Sequence, residues 1–126
     1  MPETRIESYE DLIVYQKLLQ LHLEVHEMTM KFPKFELYEL GSQLRRSSNS
    51  IPANLAEGWN NKHLNIYIEG INRAHGELRE TKHHLSVANK KNYIDDAQYQ
   101  SILERYHECG RMLRGLEQAL TKQKKT

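Results

Sequence analysis

Two Glu-x-x-His pairs, Glu80 with His83 and Glu104 with His107, are the residues whose spacing most invites chemistry. A carboxylate and an imidazole three apart on a helix form the ligand pair with which carboxylate-bridged four-helix bundles hold two metal ions. His22 and His26, four apart and so on one helical face, could grip a surface metal or pack at the edge of a core. A third constellation carries no catalytic signature. Gln43, Arg46, Ser50, Asn54 and Glu57 recur every three or four residues and form a polar strip. A face that merely meets solvent would be mostly Lys and Glu. This mixture suits specific hydrogen bonding, either with a ligand or inside the protein as a brace around Pro52.

The helices that must position these groups argue against the metal reading. At about 100° per residue, Glu80 and His83 lie about 200° and 140° from Leu78, the centre of their helix's apolar stripe. Glu104 and His107 lie about 160° and 100° from Tyr106. Both pairs therefore point away from a bundle interior, and the other two helices place no carboxylate on a core stripe. A di-metal carboxylate bundle remains only a remote alternative. No nucleophile has an adjacent base and orienter, and no glycine-rich phosphate loop follows a strand. The sequence predicts a non-enzymatic protein with no cofactor and no metal.

Periodicity predicts four helices. The first starts after Ser8, with Asp11 completing a capping-box analogue, and stops at Phe32-Pro33. It is apolar on two faces, one of Leu12, Tyr15, Leu19, Leu23, His26 and Met30, the other of Val14, Leu18, Leu21, Val25 and Met28. A bundle core accepts one face, so the second set is expected to meet another subunit, unless the helix sinks deeper into its own bundle. The second helix runs from Phe35 or Glu36 to Gly58 through Leu40, Leu44, Ser48, Ile51 and Leu55, with a kink at Pro52 whose released carbonyl Ser48 or Ser50 could satisfy. The third carries Leu64, Tyr67, Ile71, Ala74, Leu78, Thr81 and Leu85, and its Gly70 and Gly76 predict close packing contacts. After a turn over 89–93, Asp95 caps the fourth, whose stripe includes Ile102, Tyr106, Cys109, Leu113 and Leu116. Four helices of similar length with short connections give an all-α, antiparallel up-down-up-down four-helix bundle. One domain spans 1–126, with 1–8 and 121–126 expected to fray.

Length and composition fit that architecture: 126 residues, 38% hydrophobic and 28% charged. No apolar run reaches the roughly 18 residues that cross a bilayer, and no signal pattern opens the chain, so a cytoplasmic protein without a membrane partner is expected. The lone Cys109 has no metal-ligand spacing around it and reads as buried filler. Net charge is +1, yet residues 61–126 hold 12 Lys and Arg against 8 acids, whereas residues 1–60 hold 6 against 9. The basic half could favour an anionic partner or be ordinary solvated surface. Arg45, Arg46, Lys90, Lys91, Lys122, Lys124 and Lys125 are the candidate contacts to RNA or DNA. If no nucleic acid is bound, the polar strip and the first helix would serve a structural scaffold that meets other subunits or a protein partner.

The string Gln43-Leu44-Arg45-Arg46, followed by Ser50-Ile51-Pro52-Ala53-Asn54-Leu55-Ala56-Glu57-Gly58, resembles the signature of the four-helix bundle proteins encoded in 23S rRNA intervening sequences. Ala74-x-Gly76-x-Leu78-x-Glu80-Thr81 is similar to a second block of that family. Leu12 with Tyr15-Gln16, and Phe32-Pro33-x-x-Glu36, resemble its first helix and exit. Ser47 and Ser48 stand where relatives usually carry alanines. The resemblance implies a ring-like homopentamer and little chemistry. It also implies a fold relationship to the accessory proteins of diversity-generating retroelements, which engage nucleic acid and a reverse transcriptase.

Overall fold

The chain forms four helices, α1 (Ile13–Thr29), α2 (Leu40–Gly58), α3 (Leu64–Lys90) and α4 (Asp96–Lys124), with two one-turn 3-10 segments, Tyr9–Asp11 and Lys34–Glu36. The computed structural model describes residues 5–124. Each helix packs on its sequence neighbours and α4 returns to α1, while among the described residues the diagonal pairs make no close backbone contact. This is the up-down-up-down bundle expected from periodicity and short connections.

The helix ends follow local chemistry. Ser8 Oγ accepts from the Glu10 amide at 3.2 Å, and Asp11 Oδ2 accepts from the Ser8 amide at 3.1 Å. That capping box closes the first 3-10 turn, and extended backbone at Leu12 delays α1 to Ile13. Asp95 Oδ1 caps α4 by accepting from the Gln98 amide at 2.7 Å. Asn92, with φ of 63°, turns the chain between α3 and α4 in the left-handed conformation that Asn tolerates. Helix α4 reaches Lys124, and residues 1–4 and 125–126 of the tails expected to fray lie outside the described residues.

The core corrects the expected assignment of α1. Val14, Leu18, Leu21, Val25 and Met28 are all buried within the single chain and are not available to a second one. The other apolar face turns outward, leaving Leu19, Leu23 and Met30 exposed together with Ile13. The buried set repeats at alternating intervals of four and three, the seam that packs along a neighbouring helix. The outward set includes Tyr15 and His26, whose polar tips suit a boundary with water.

The start of α2 also differs, at Leu40 rather than near Glu36. Glu36 is turned inward, only 3% exposed, and its Oε2 accepts from Lys91 Nζ and Tyr93 Oη, both at 2.9 Å. Arg45 reaches back from α2, donating to Thr29 Oγ1 at 2.9 Å and to the Leu37 carbonyl at 2.6 Å. These two side chains hold the connector as a loop and tie it to the distant α3–α4 turn. The Lys91 and Tyr93 bonds keep the Glu36 carboxyl below its ordinary value.

Gly58 and Gly70 bring α2 and α3 nearly backbone to backbone. A Cβ on Gly70 would lie 2.9 Å from the Asn54 carbonyl oxygen and 3.2 Å from the Gly58 Cα. Gly76, expected to serve the same purpose, is exposed, and a methyl group added there would meet nothing within 4 Å. Helix α2 passes through Pro52 without interruption. The nearby hydroxyls do not serve the carbonyl that Pro52 releases: Ser50 Oγ donates to the Arg46 carbonyl at 2.9 Å and Ser48 Oγ to the Arg45 carbonyl at 3.4 Å.

Gly70→Ala should therefore destabilise the fold by about 1–2 kcal/mol, because overpacking against backbone outweighs the gain in helix propensity. Gly76→Ala should stabilise it by about 0.5–1 kcal/mol. Denaturant unfolding of both variants checks the pair. A depressed carboxyl contributes stability above its unfolded value and loses it as pH falls through the folded one. Glu36→Gln should thus lower Tm near neutrality, with the gap to the unaltered chain closing below the ordinary carboxyl value of 4.5.

Candidate nucleic-acid interface

The polar strip of α2 is mostly an internal brace. Ser50 bonds its own helix, and Asn54 Nδ2 donates to the Ser50 carbonyl at 2.8 Å, so both half-buried side chains support the turn preceding Pro52. Arg46 crosses to α3, pairing with Glu77 at 3.4 Å and with Glu80. Gln43 and Glu57 remain exposed. Asn54 and Glu57 also line an open cleft of about 340 Å³ at the α2–α3 mouth, opposite Asn65, Glu69 and Arg73.

Below the strip, Ser47 and Ser48 make polar contacts across the bundle. Ser47 Oγ accepts from Thr81 Oγ1 at 2.8 Å in the interior, and Ser48 Oγ lies 2.8 Å from His22 Nδ1. His22 and His26 stack edge to face at 6.3 Å. Burial, then the His26 imidazole, lowers the His22 pKa. The Glu-x-x-His pairs face outward as the wheel predicted, Glu80 engaged by Arg46 and His84, and His83, Glu104 and His107 exposed. Among the described residues no group of three or more His, Cys, Asp or Glu could hold a metal. Cys109 is buried and its thiol is pushed up to about 11, mainly by burial, which makes it inert filler.

Three of the seven cations singled out from sequence are already engaged. Arg45 is inside the connector, Arg46 bridges to α3, and Lys91 neutralises Glu36. Arg45 is thus a structural strut and a poor nucleic-acid contact. Lys90, Lys122 and Lys124 are exposed, and Lys125 lies outside the described residues.

The concentrated positive charge lies elsewhere, in a groove of about 250 Å³ between α3 and α4. Arg79 and Lys82 approach it from α3, Arg111 and Arg114 from α4, with His75 and His107 among them. Among the described residues no carboxylate lines it. Glu117 stands 3.9 Å from His75 and Glu104 3.6 Å from Arg111. Lys82 Nζ is 2.8 Å from His107 Nδ1, so the ammonium donates and the ring nitrogen accepts. Burial, followed by repulsion from Arg111, Arg114 and Arg79, lowers the Lys82 pKa. Burial also lowers that of His75, with Arg114, Arg79 and Lys82 opposing the attraction of Glu117. At the groove floor Gly110 admits the Leu78 side chain, whose Cδ2 would lie 3.3 Å from an added Cβ.

The model of the 23S rRNA-intervening sequence protein family matches residues 10–115. The chain belongs to this family. A crystal structure at 1.70 Å of a protein of unknown function from the S23 ribosomal protein family of Bacteroides thetaiotaomicron is similar to it, with a TM-score of 0.73 and 26% sequence identity. The similarity covers 83% of this chain and 98% of that one. No curated protein matches.

The groove was not among the sites expected from sequence, although its signal was present. Arg79 and Lys82 are three apart on one flank of the α3 stripe, and Arg111 and Arg114 repeat that spacing on α4. Each pair is ordinary alone, and only the α3–α4 packing joins them.

Arg46 itself is a surface link between partly exposed side chains, which typically contributes below about 1 kcal/mol. Arg46→Ala should shift chemical unfolding by less than that amount and leave the mass in solution unchanged. Dissociation of an assembly on that substitution would instead make the strip an intersubunit contact.

Proposed function

We propose that this protein is a non-enzymatic, homo-oligomeric binding protein of the cytoplasm whose ligand is RNA, held through its phosphates in the α3–α4 groove. The observation that carries this reading is the meeting of Arg79, Lys82, Arg111 and Arg114 without a carboxylate between them. Clustered cations on a rigid pair of helices, with no carboxylate in the groove lining, suit a polyanion, whose binding releases counterions. The family and its crystallised neighbour carry names drawn from ribosomal RNA and ribosomal protein, which agrees with this choice of ligand.

The outward apolar face of α1, with Ile13, Leu19, Leu23 and Met30 exposed, supports self-association. The family resemblance suggests a pentamer. Repetition of the groove around such a ring would add weak phosphate contacts through multivalency. The alternative is a scaffold that uses the same α1 face for a protein partner and binds no nucleic acid.

Titration of structured RNA at two salt concentrations tests the proposal. Binding should weaken steeply with salt, and Arg79→Ala with Arg114→Ala should flatten the log–log salt slope by about 0.7–0.9 for each phosphate no longer neutralised. Both arginines are exposed, so the double variant should keep the helical content of the unaltered protein. Absence of binding at low salt, or affinity indifferent to salt, would sink the RNA reading in favour of the scaffold.

A further inference from the structure

The two imidazoles in the groove stand in an arrangement that a bound phosphate would change. His107 Nδ1 accepts from Lys82 at 2.8 Å, so it carries no proton while the lysine points at it. Around the pair, α3 supplies Arg79 and His75, and α4 supplies Arg111 and Arg114. Glu104 and Glu117, near Arg111 and His75 respectively, are the acidic neighbours. Burial and the cations Arg114, Arg79 and Lys82 oppose a positive charge on His75, against the attraction of Glu117. A phosphate seated among them reverses that local field, and it offers Lys82 a stronger acceptor than an imidazole. Once Lys82 turns to the phosphate, Nδ1 of His107 is free to take a proton and donate to the same anion. His75, 15% exposed beside Arg79 and Arg114, gains the same attraction, and its depressed proton affinity leaves it room to rise.

We infer that phosphate binding in the α3–α4 groove is coupled to proton uptake at His75 and His107. The inference rests on the groove being the anion site of the preceding reading. By linkage, a ligand that raises the proton affinity of a group binds more tightly when that group is protonated. Acidification through the histidine range therefore tightens the hold on a phosphodiester strand, whose own charge does not change there.

The test measures affinity for a fluorescein-labelled oligouridylate at about pH 6 and about pH 8, at constant ionic strength, on either side of the ordinary histidine value. The unaltered protein should bind more tightly at the lower pH, by up to about tenfold for each imidazole whose midpoint rises by one unit. In the double variant His75→Gln/His107→Gln the ratio of the affinities at the two pH values should fall close to one. Equal affinity of the unaltered protein at both pH values, or a gain undiminished in the double variant, overturns the coupling. Inorganic pyrophosphate, with the two imidazole proton resonances followed by NMR, separates this inference from the RNA reading. If RNA does not bind but saturating pyrophosphate raises both imidazole midpoints, the RNA reading fails and the coupling stands. Midpoints unmoved by pyrophosphate overturn the coupling whatever RNA does.

Discussion

The contact on which the rest of the bundle depends is the near meeting of the α2 and α3 backbones at Gly58 and Gly70. Two helices that touch through glycine have little freedom to slide or rotate against one another, because any side chain added there would strike backbone. That contact sets the axis and rotation of α3. With its apolar stripe turned to the interior, the flank bearing His75, Arg79 and Lys82 is delivered to α4. A second small residue, Gly110, lets the Leu78 side chain nestle against α4 at the floor of the same groove. The electrostatic site thus follows from where glycines permit close approach.

Close approach by small residues sacrifices apolar area, and polar contacts take over part of the adhesion. Thr81 and Ser47 bond across α2 and α3 in the interior, and Ser48 meets His22 of α1. Such buried bonds contribute about 1 kcal/mol each, but they are directional, so they select one rotation of each helix where Leu or Val would tolerate several. At the surface Arg105 chelates Glu24 at 2.7 Å and 2.5 Å, and Lys17 pairs with Glu108 at 3.0 Å, joining α4 to α1 where the backbone contact is sparser. Glu36 performs the corresponding task between the two connections at one end of the bundle, with Lys91 and Tyr93 as its partners.

The helices and their core stripes were legible in the residues because the apolar period is strong on α2, α3 and α4. On α1 the period is doubled, and composition alone did not decide which face turns inward. The outward set contains Tyr15, His26 and Met30, and the inward set only Leu, Val and Met, a difference that becomes meaningful once three other stripes must be satisfied. The connector at Glu36 departs from expectation for a related reason. A glutamate beside a helix start favours a first helical turn by its charge, but here a lysine and a tyrosine from a loop 55 and 57 residues away capture it. The groove was illegible because it is a property of two helices jointly. Periodicity reports on one helix at a time, and the charged pairs on α3 and α4 are separated by the whole turn between them.

The near-neutral composition of this chain is misleading for the same reason. A net charge of +1 is the sum of an acidic half and a basic half, and within the basic half the acids are not spread evenly among the cations. Glu77 and Glu80 are drawn toward Arg46 on the α2 side of α3, Glu108 toward Lys17 and Glu24 toward Arg105 on the α1 side of α4. Carboxylates bound on those flanks are unavailable to the groove on the opposite flanks. The ion pairs that close the bundle therefore also leave Arg79, Lys82 and Arg114 facing one another beside Arg111, whose partner Glu104, at 3.6 Å, stands outside the groove lining. Their mutual repulsion disfavours the folded state slightly, and an anion seated in the groove would relieve it. Local charge segregation, and not the net charge, is thus the property that decides whether this bundle can hold a polyanion.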